Sequence, residues 1–324
     1  MKAGVLALAT LVGGAACKHG PRPVCEAEVA SPESDEALAR TLTPRAWFSA
    51  MMWSYKAATR LPGEPTTDCL RRALRWEESP KGCAAPERFS VDDELLPQAP
   101  LTHEDLVVVP GPDDQLLVWA IARRYRGGDG LGPAAVVRWT KRGVALMAVG
   151  TLRAGARNPN LWIERLDAKH EVLVVESDRC DPSAPDVCTP TVQLLPIFQG
   201  LITMATLVDA EGRCLGPARF DRRRTLEVKQ GRALRGFTLN SDVTIELGQI
   251  TVAEQVIVRD HDPADPDALA REFRTVDDVY SIRLDPRARR FVAERAALWE
   301  RVLLEDGRLD GALEEAAPRP KPRR

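Results

Sequence analysis

The sequence predicts a mainly β (α+β) protein: an antiparallel meander forming a curved sheet, sandwich or propeller-like body, with an N-terminal helical region and a C-terminal helix. Three observations predict this. From about residue 104, short runs rich in Val, Ile, Leu and Thr follow one another with turn-like separators and almost no helical spacing between them. The 25 prolines and 22 glycines are spread between these runs, which favours many short elements over a few long helices. The 324 residues are 44% hydrophobic and 28% charged, a composition able to bury a substantial core.

Taken in order, the chain opens on MKAGVLALATLVGGAAC, with a cation at Lys2, an apolar stretch from Ala3 to Ala16 and small residues just before Cys17. A helix crossing a hydrocarbon core needs about 20 apolar residues, and this run is shorter, so it reads as a targeting segment. The box Gly14-Ala15-Ala16-Cys17 resembles the signal of bacterial lipoproteins. That resemblance covers residues 1–17 alone. It implies removal of residues 1–16, acylation of Cys17, and anchorage to the bacterial cell envelope at the outer membrane or its periplasmic face. Residues 17–32, rich in proline and polar groups, read as a tether.

Seven cysteines occur, and setting Cys17 aside leaves Cys25, Cys69, Cys83, Cys180, Cys188 and Cys214. An even set in an oxidising compartment points to disulfides, although six cysteines allow fifteen pairings. Proximity favours Cys69 with Cys83 and Cys180 with Cys188, leaving Cys25 and Cys214 for a longer link. A metal site is disfavoured because no C-x-x-C pair is present.

Residues 33–98 read as a helical region. Thr43-Pro44 offers an N-cap followed by proline at the first helical position, and Trp47, Met51, Tyr55 and Ala58 recur at helical spacing. A second, shorter helix is expected from Thr67, with Leu70, Ala73 and Leu74 on one face.

The β-rich body spans residues 99–313. Its strands read as LVVV, QLLVWAIARRY, AAVVRW, VALMAVGTL, LWIERL, EVLVVES, VQLLPIF, LITMATLV, RTLEV, RALRGFTL, VTIEL and VAEQVIVRD. The separators are short enough for hairpins, so neighbours should be antiparallel. Pro196 inside one strand implies an edge or a bulge. The stretch LWIERLDAKHEVLVVE is similar to a propeller repeat of the integrin type, although Ala168, Lys169 and His170 replace the acidic and glycine residues of its calcium-holding turn. Beyond the meander, Asp265 should cap a short helix through Phe273, VYSIRL and RRFV should form a hairpin about Asp285-Pro286, and Ala293 to Leu304 a helix. Residues 314–324 form a basic Pro/Arg tail expected to be disordered.

The chemistry-bearing patterns are few. A formal charge of −2 gives no whole-chain reason to expect nucleic acid as a partner. The four histidines lack HExxH spacing, and no G-x-S-x-G or S-x-x-K occurs. The glycine-rich run from Gly127 to Gly132 lies between strands, where a turn explains it better than a phosphate loop. Asp260, Asp262, Asp265 and Asp267 offer oxygen ligands suited to calcium, yet at a spacing that matches no calcium loop. Arg219, Arg222 and Arg224 suggest an anion-binding patch, with strand alternation placing the last two on one face. No small-molecule cofactor is implied. The residues imply a membrane-tethered, non-enzymatic binding or structural module whose partner is an envelope protein or cell-wall polymer; the alternative is an envelope hydrolase or carbohydrate-active enzyme with Glu176 and Asp178 as its carboxylates.

Overall fold

The computed structural model describes residues 22–28, 42–53, 67–72, 96–97, 99–126, 128–180, 187–230, 233–246, 248–261 and 271–305. The described residues are mainly β, with two short α-helices: a nearly closed mixed barrel is joined to a curled half-barrel. The strands are β1 (Cys25–Glu28), β2 (Leu106–Pro110), β3 (Gln115–Ala120), β4 (Arg123–Arg124), β5 (Asp129–Thr140), β6 (Gly143–Gly155), β7 (Arg157–Arg165), β8 (Glu171–Cys180) and β9 (Cys188–Phe198). They continue as β10 (Leu201–Ile202), β11 (Thr206–Val208), β12 (Cys214–Pro217), β13 (Arg219–Asp221), β14 (Arg223–Gln230), β15 (Ala233–Glu246), β16 (Gln249–His261), β17 (Arg271–Asp285) and β18 (Arg290–Ala293). The helices are α1 (Pro44–Met51) and α2 (Leu298–Glu305).

Two antiparallel meanders build the barrel, in the order β2-β3-β5-β6-β10-β9-β8-β7. They meet where β10 runs parallel to β6, Leu201 beside Val149 and Ile202 beside Gly150. The crossover that a parallel pair requires is supplied here by the strands β7 to β9 instead of a helix. Glycine at position 150 is dictated by this seam, because a β-carbon there would collide with the Ile202 carbonyl oxygen. At the far ends of the order, β2 and β7 approach each other and nearly complete the ring.

Strand alternation gives the barrel three apolar cores, one in its lumen and two on its outer faces. Leu117, Trp119, Val136, Leu152, Leu173, Val175 and Leu195 come from strands around the whole ring and fill its lumen. The opposite faces of β3, β5 and β6 present Val118, Ala135, Val137 and Leu146 to Trp47, Phe48 and Met51 of α1. This helix starts as expected, with the Thr43 hydroxyl accepting from the Ala46 amide at 3.2 Å and Pro44 in the first turn. On the other side, Val172, Val174, Val192 and Leu194 pack against Ile250, Val252, Tyr280, Ile282 and Phe291 of the second sheet.

That second sheet has the order β12-β11-β18-β17-β16-β15-β14. One end of its concave face covers β8 and β9. At the other end Phe237, Leu239, Val256 and Val258 close over Leu298, Trp299, Val302 and Leu303 of α2. Burial alternates along β16 and β17 as their pleat requires, with Tyr280 and Ile282 inward and Phe273 and Val279 outward.

Two turns share one construction. Asp68 accepts from the amides of Leu70 and Arg72 at 2.9 and 2.8 Å and from Arg72 Nε at 2.7 Å. Asp209 accepts from the amides of Glu211 and Arg213 at 3.1 and 2.8 Å and from Arg213 Nε at 2.5 Å. In each, the residue before the arginine is left-handed: Arg71 at φ 60° and Gly212 at φ 80°. Both carboxylates are almost fully buried, so these internal hydrogen bonds replace the water they lose.

The structure corrects several expectations. The sandwich and propeller alternatives give way to the barrel and half-barrel, because the strands curl and pair across a parallel seam instead of stacking or repeating. Residues 67–72 form the Asp68 turn and do not begin a second helix. Phe273 lies in β17, so no helix continues through it, and Ala293 ends β18 before the final helix begins at Leu298. RALRGFTL and VTIEL are a single strand, β15. Pro196 sits in the middle of the barrel sheet, not at its edge. On one side β9 pairs with β13 over Thr191–Gln193 and with β10 over Ile197–Phe198, and Pro196 occupies the gap between the two partners, where its missing amide interrupts no ladder. The hairpin about Asp285 forms as expected, with Asp285 opposite Arg290. Tyr55, Ala58, the Asp265 helix cap, the export signal and the 314–324 tail lie outside the described residues.

Candidate functional site

Among the described residues, two places bring polar side chains from the barrel together. The first is the junction between the barrel and the half-barrel. Arg222, in the single-residue break between β13 and β14, reaches Glu176 on β8 at 2.8 Å and Asp242 on β15 at 3.5 Å. It thereby clamps one body to the other. Beside it, Trp162, Val174, Val192, Val243 and Ile245 line a cleft of about 60 Å³. Ligand pockets commonly run from roughly 300 Å³ upward, so this cleft is too small to enclose a drug-sized ligand.

The second is one mouth of the barrel, where β5 begins, β6 and β8 end and β9 starts. The Cys180–Cys188 disulfide lies at this mouth across directly paired positions, with the α-carbons 3.9 Å apart. Asp129 is fully buried there and accepts from Arg153 Nε at 3.1 Å, while the Arg153 guanidinium lies 3.8 Å over the Tyr125 ring. Ser177 and Thr191 are also buried. The Gly155 amide donates to Ser177 Oγ at 3.1 Å, and Thr191 Oγ1 donates to the Ser177 carbonyl at 3.2 Å. The Gln193 Oε1 and Asp129 Oδ1 atoms are buried without a hydrogen-bond partner among the described residues.

Arg219 completes the group. It lies opposite Gln193 in the β13–β9 ladder. Phe220 belongs to the core between the two bodies, so strand alternation turns Arg219 and Asp221 to the other face, the one shared by Gln193 and Leu195. Arg179 stands on the same face of β8 as Val175 and Ser177. Burial pushes the Arg219 guanidinium below its ordinary value; the charge of Asp129 opposes this and that of Arg179 reinforces it. The mouth is thus a partly desolvated site with three cations, Arg153, Arg179 and Arg219, against two anions, Asp129 and Asp221. Such a field holds negative charge.

The residues anticipated from sequence are dispersed. Of Arg219, Arg222 and Arg224, the first faces the barrel mouth, the second is engaged by two carboxylates, and the third is exposed, 5.2 Å from the Trp299 ring. Arg222 and Arg224 do not share a strand face, because the chain passes from one sheet to the other between them. Asp260 is paired with Arg235 in a two-point ion pair, and Asp262, Asp265 and Asp267 lie outside the described residues. Among the described residues no group of three His, Cys, Asp or Glu side chains converges in a way that could hold a metal ion. Glu176 is bound to Arg222, and Asp178 accepts from Asn158 at 2.8 Å, so the carboxylates of the hydrolase reading are both engaged.

The cysteines follow half of the proximity argument. Cys180 pairs with Cys188 as expected, whereas Cys69 pairs with Cys25 and not with Cys83. The reason is the fold: β1 docks on β6, and the Asp68 turn lies close enough to place the Cys69 and Cys25 α-carbons 6.2 Å apart. Cys214 is also disulfide-bonded. Bridges of this kind mark an oxidising, extracytoplasmic compartment.

Sequence reasoning missed Asp129, Arg153, Arg179, Gln193 and the role of Arg219. Only the placement of polar residues within otherwise apolar strands signalled them, and that signal becomes specific once strand register is known. Comparison with protein-family models, with curated proteins and with solved structures finds no match for the chain.

Proposed function

We propose that the protein is an exported, lipid-anchored, non-enzymatic module of the bacterial envelope, which binds another envelope component through its β-rich body. One observation carries this reading: all five cysteines among the described residues are in disulfides. Thiols in a reducing cytosol would not remain so paired. The resemblance of residues 1–17 to a lipoprotein signal supplies the route and, at Cys17, the anchor. A single acyl chain holds a protein to a membrane only marginally, so the multiple chains of a lipoprotein anchor are what would keep the barrel beside the bilayer.

The test is metabolic labelling with radioactive palmitate in a bacterial host, followed by fractionation. The wild-type chain takes up label and sediments with membranes; Cys17→Ser takes up none and is recovered in the soluble envelope fraction. An unlabelled, uncleaved wild-type chain in the cytosol with free thiols would overturn the proposal.

A further inference from the structure

We propose that the barrel mouth beside the Cys180–Cys188 disulfide is an oxyanion subsite, in which Arg179 and Arg219 hold the charged oxygens of a ligand that also presents a hydroxyl donor. This names the ligand chemistry of the binding role above and rests on that reading.

The first ground is the state of the two arginines. Arg72, Arg124, Arg153, Arg222 and Arg235 are each half-buried and each paired with a carboxylate. Arg179 and Arg219 are half-buried as well, yet neither makes a hydrogen bond or ion pair among the described residues. A partly desolvated cation without a partner is costly. Arg138 and Arg259 are likewise half-buried without a partner among the described residues, and what distinguishes Arg179 and Arg219 is that they share one face with the buried Asp129 and Gln193. The second ground is placement. Both side chains rise from the same face of the sheet, on β8 and β13 either side of β9, and they are near enough for each to feel the other's charge.

The chemistry of the occupant follows from the donors and acceptors present. A guanidinium fork presents parallel N–H groups that match two oxygens of a carboxylate or phosphate. Gln193 Oε1 and Asp129 Oδ1 are buried acceptors without partners among the described residues, and they call for donors. An oxyanion with an adjacent hydroxyl satisfies both sets; an acceptor-only anion satisfies the arginines alone. Monoprotonated phosphate carries both functions in one small ion, whereas sulfate of similar size carries no donor near neutral pH.

Inorganic phosphate and sulfate are therefore the probes. They are titrated into the full chain, disulfides intact, at constant ionic strength near pH 6.5, with melting temperature and heat of binding recorded. The expected result is a saturable rise with phosphate and a weaker one with sulfate. Arg219→Gln and Arg179→Gln should each weaken phosphate binding by about tenfold or more, the loss expected when a charge-assisted hydrogen bond is removed. Arg224→Gln, on the outer surface, should respond like the wild type. Without anion, Arg219→Gln should melt no lower than the wild type, since it removes a desolvated charge that has no ion pair among the described residues. Absence of a saturable phosphate response in the wild type, or an unchanged response in Arg219→Gln, would overturn the subsite. Equal responses to phosphate and sulfate would overturn the hydroxyl requirement. Palmitate labelling that succeeds while phosphate fails sinks only the subsite.

Discussion

The Glu254 carboxylate accepts a hydrogen bond from the Leu298 backbone amide at 2.6 Å, so an acid in the middle of β16 ties down the first turn of α2. Its other oxygen accepts from the Tyr280 hydroxyl at 3.3 Å. The side chain is 7% exposed, and burial pushes its pKa above the ordinary 4.5; the Leu298 and Tyr280 hydrogen bonds pull downward, Asp278 pushes further up, and Arg301 opposes. A raised folded-state value means that the protonated acid suits the fold better. This group's contribution is therefore fully present below 4.5 and is lost as pH rises through the folded-state value. Glu254→Gln keeps an acceptor for Leu298 and should flatten that limb of a urea-midpoint profile. Glu254→Ala leaves a buried amide and hydroxyl without a partner and should cost about 2 kcal/mol.

Asp209 works in the opposite sense. Burial acts to raise its carboxyl, but the Arg213 amide, side chain and charge, with the Glu211 amide, overcome it and hold the group below the ordinary 3.8. Stability from this turn is present above 3.8 and lost as pH falls through the folded-state value. Asp209→Asn should shrink the acid limb of the same profile. Asp209→Ala and Asp68→Ala should each lower stability by about 1–3 kcal/mol, because the backbone amides and arginine of each turn lose their acceptor.

Gly150 fixes the barrel seam. Gly150→Ala has no room for its methyl group without moving the Ile202 backbone, and β10 would have to leave β6. A loss of about 3 kcal/mol or more is expected, read as a lower denaturation midpoint together with faster amide exchange at Val149. Gly212→Ala meets no neighbouring atom but stands at φ 80°, so any loss there reports left-handed backbone strain and not crowding.

Disulfide mapping tests the cysteine arithmetic. Non-reducing peptide digestion should recover Cys25–Cys69 and Cys180–Cys188. Cys214 is bridged, and with Cys17 acylated the proposed anchor predicts a Cys83–Cys214 peptide. A Cys17–Cys214 peptide would contradict the proposed anchor. In the chain-entropy account the Cys25–Cys69 bridge, with its 44-residue separation, stabilises by about 4 kcal/mol, so Cys25→Ala should lower the melting point markedly.

Much of the fold was legible because strand period and hairpin turns are local. LVVV, EVLVVES and VAEQVIVRD each became a strand, and Thr43-Pro44 started a helix where capping chemistry requires one. What was hidden depended on distant pairing. Nothing local to Leu201 or Ile202 announces a parallel partner at Val149 and Gly150, and nothing near Cys69 points to Cys25. The candidate site was less legible still. Arg219 and Arg222 look equivalent in a basic run, and only the switch between sheets after β13 turns one to the barrel mouth, without an ion pair among the described residues, and gives the other to Glu176 and Asp242.

The pairing of β11 with β18 sets Leu207 beside Phe291, and the two sides of that ladder lie far apart along the polypeptide. Contacts so distant in sequence are slow to find, and the half-barrel cannot acquire its middle strand until the last quarter of the chain is available. A translocated polypeptide must stay unfolded while it threads a narrow channel. This topology builds that delay into the order in which its strands can assemble.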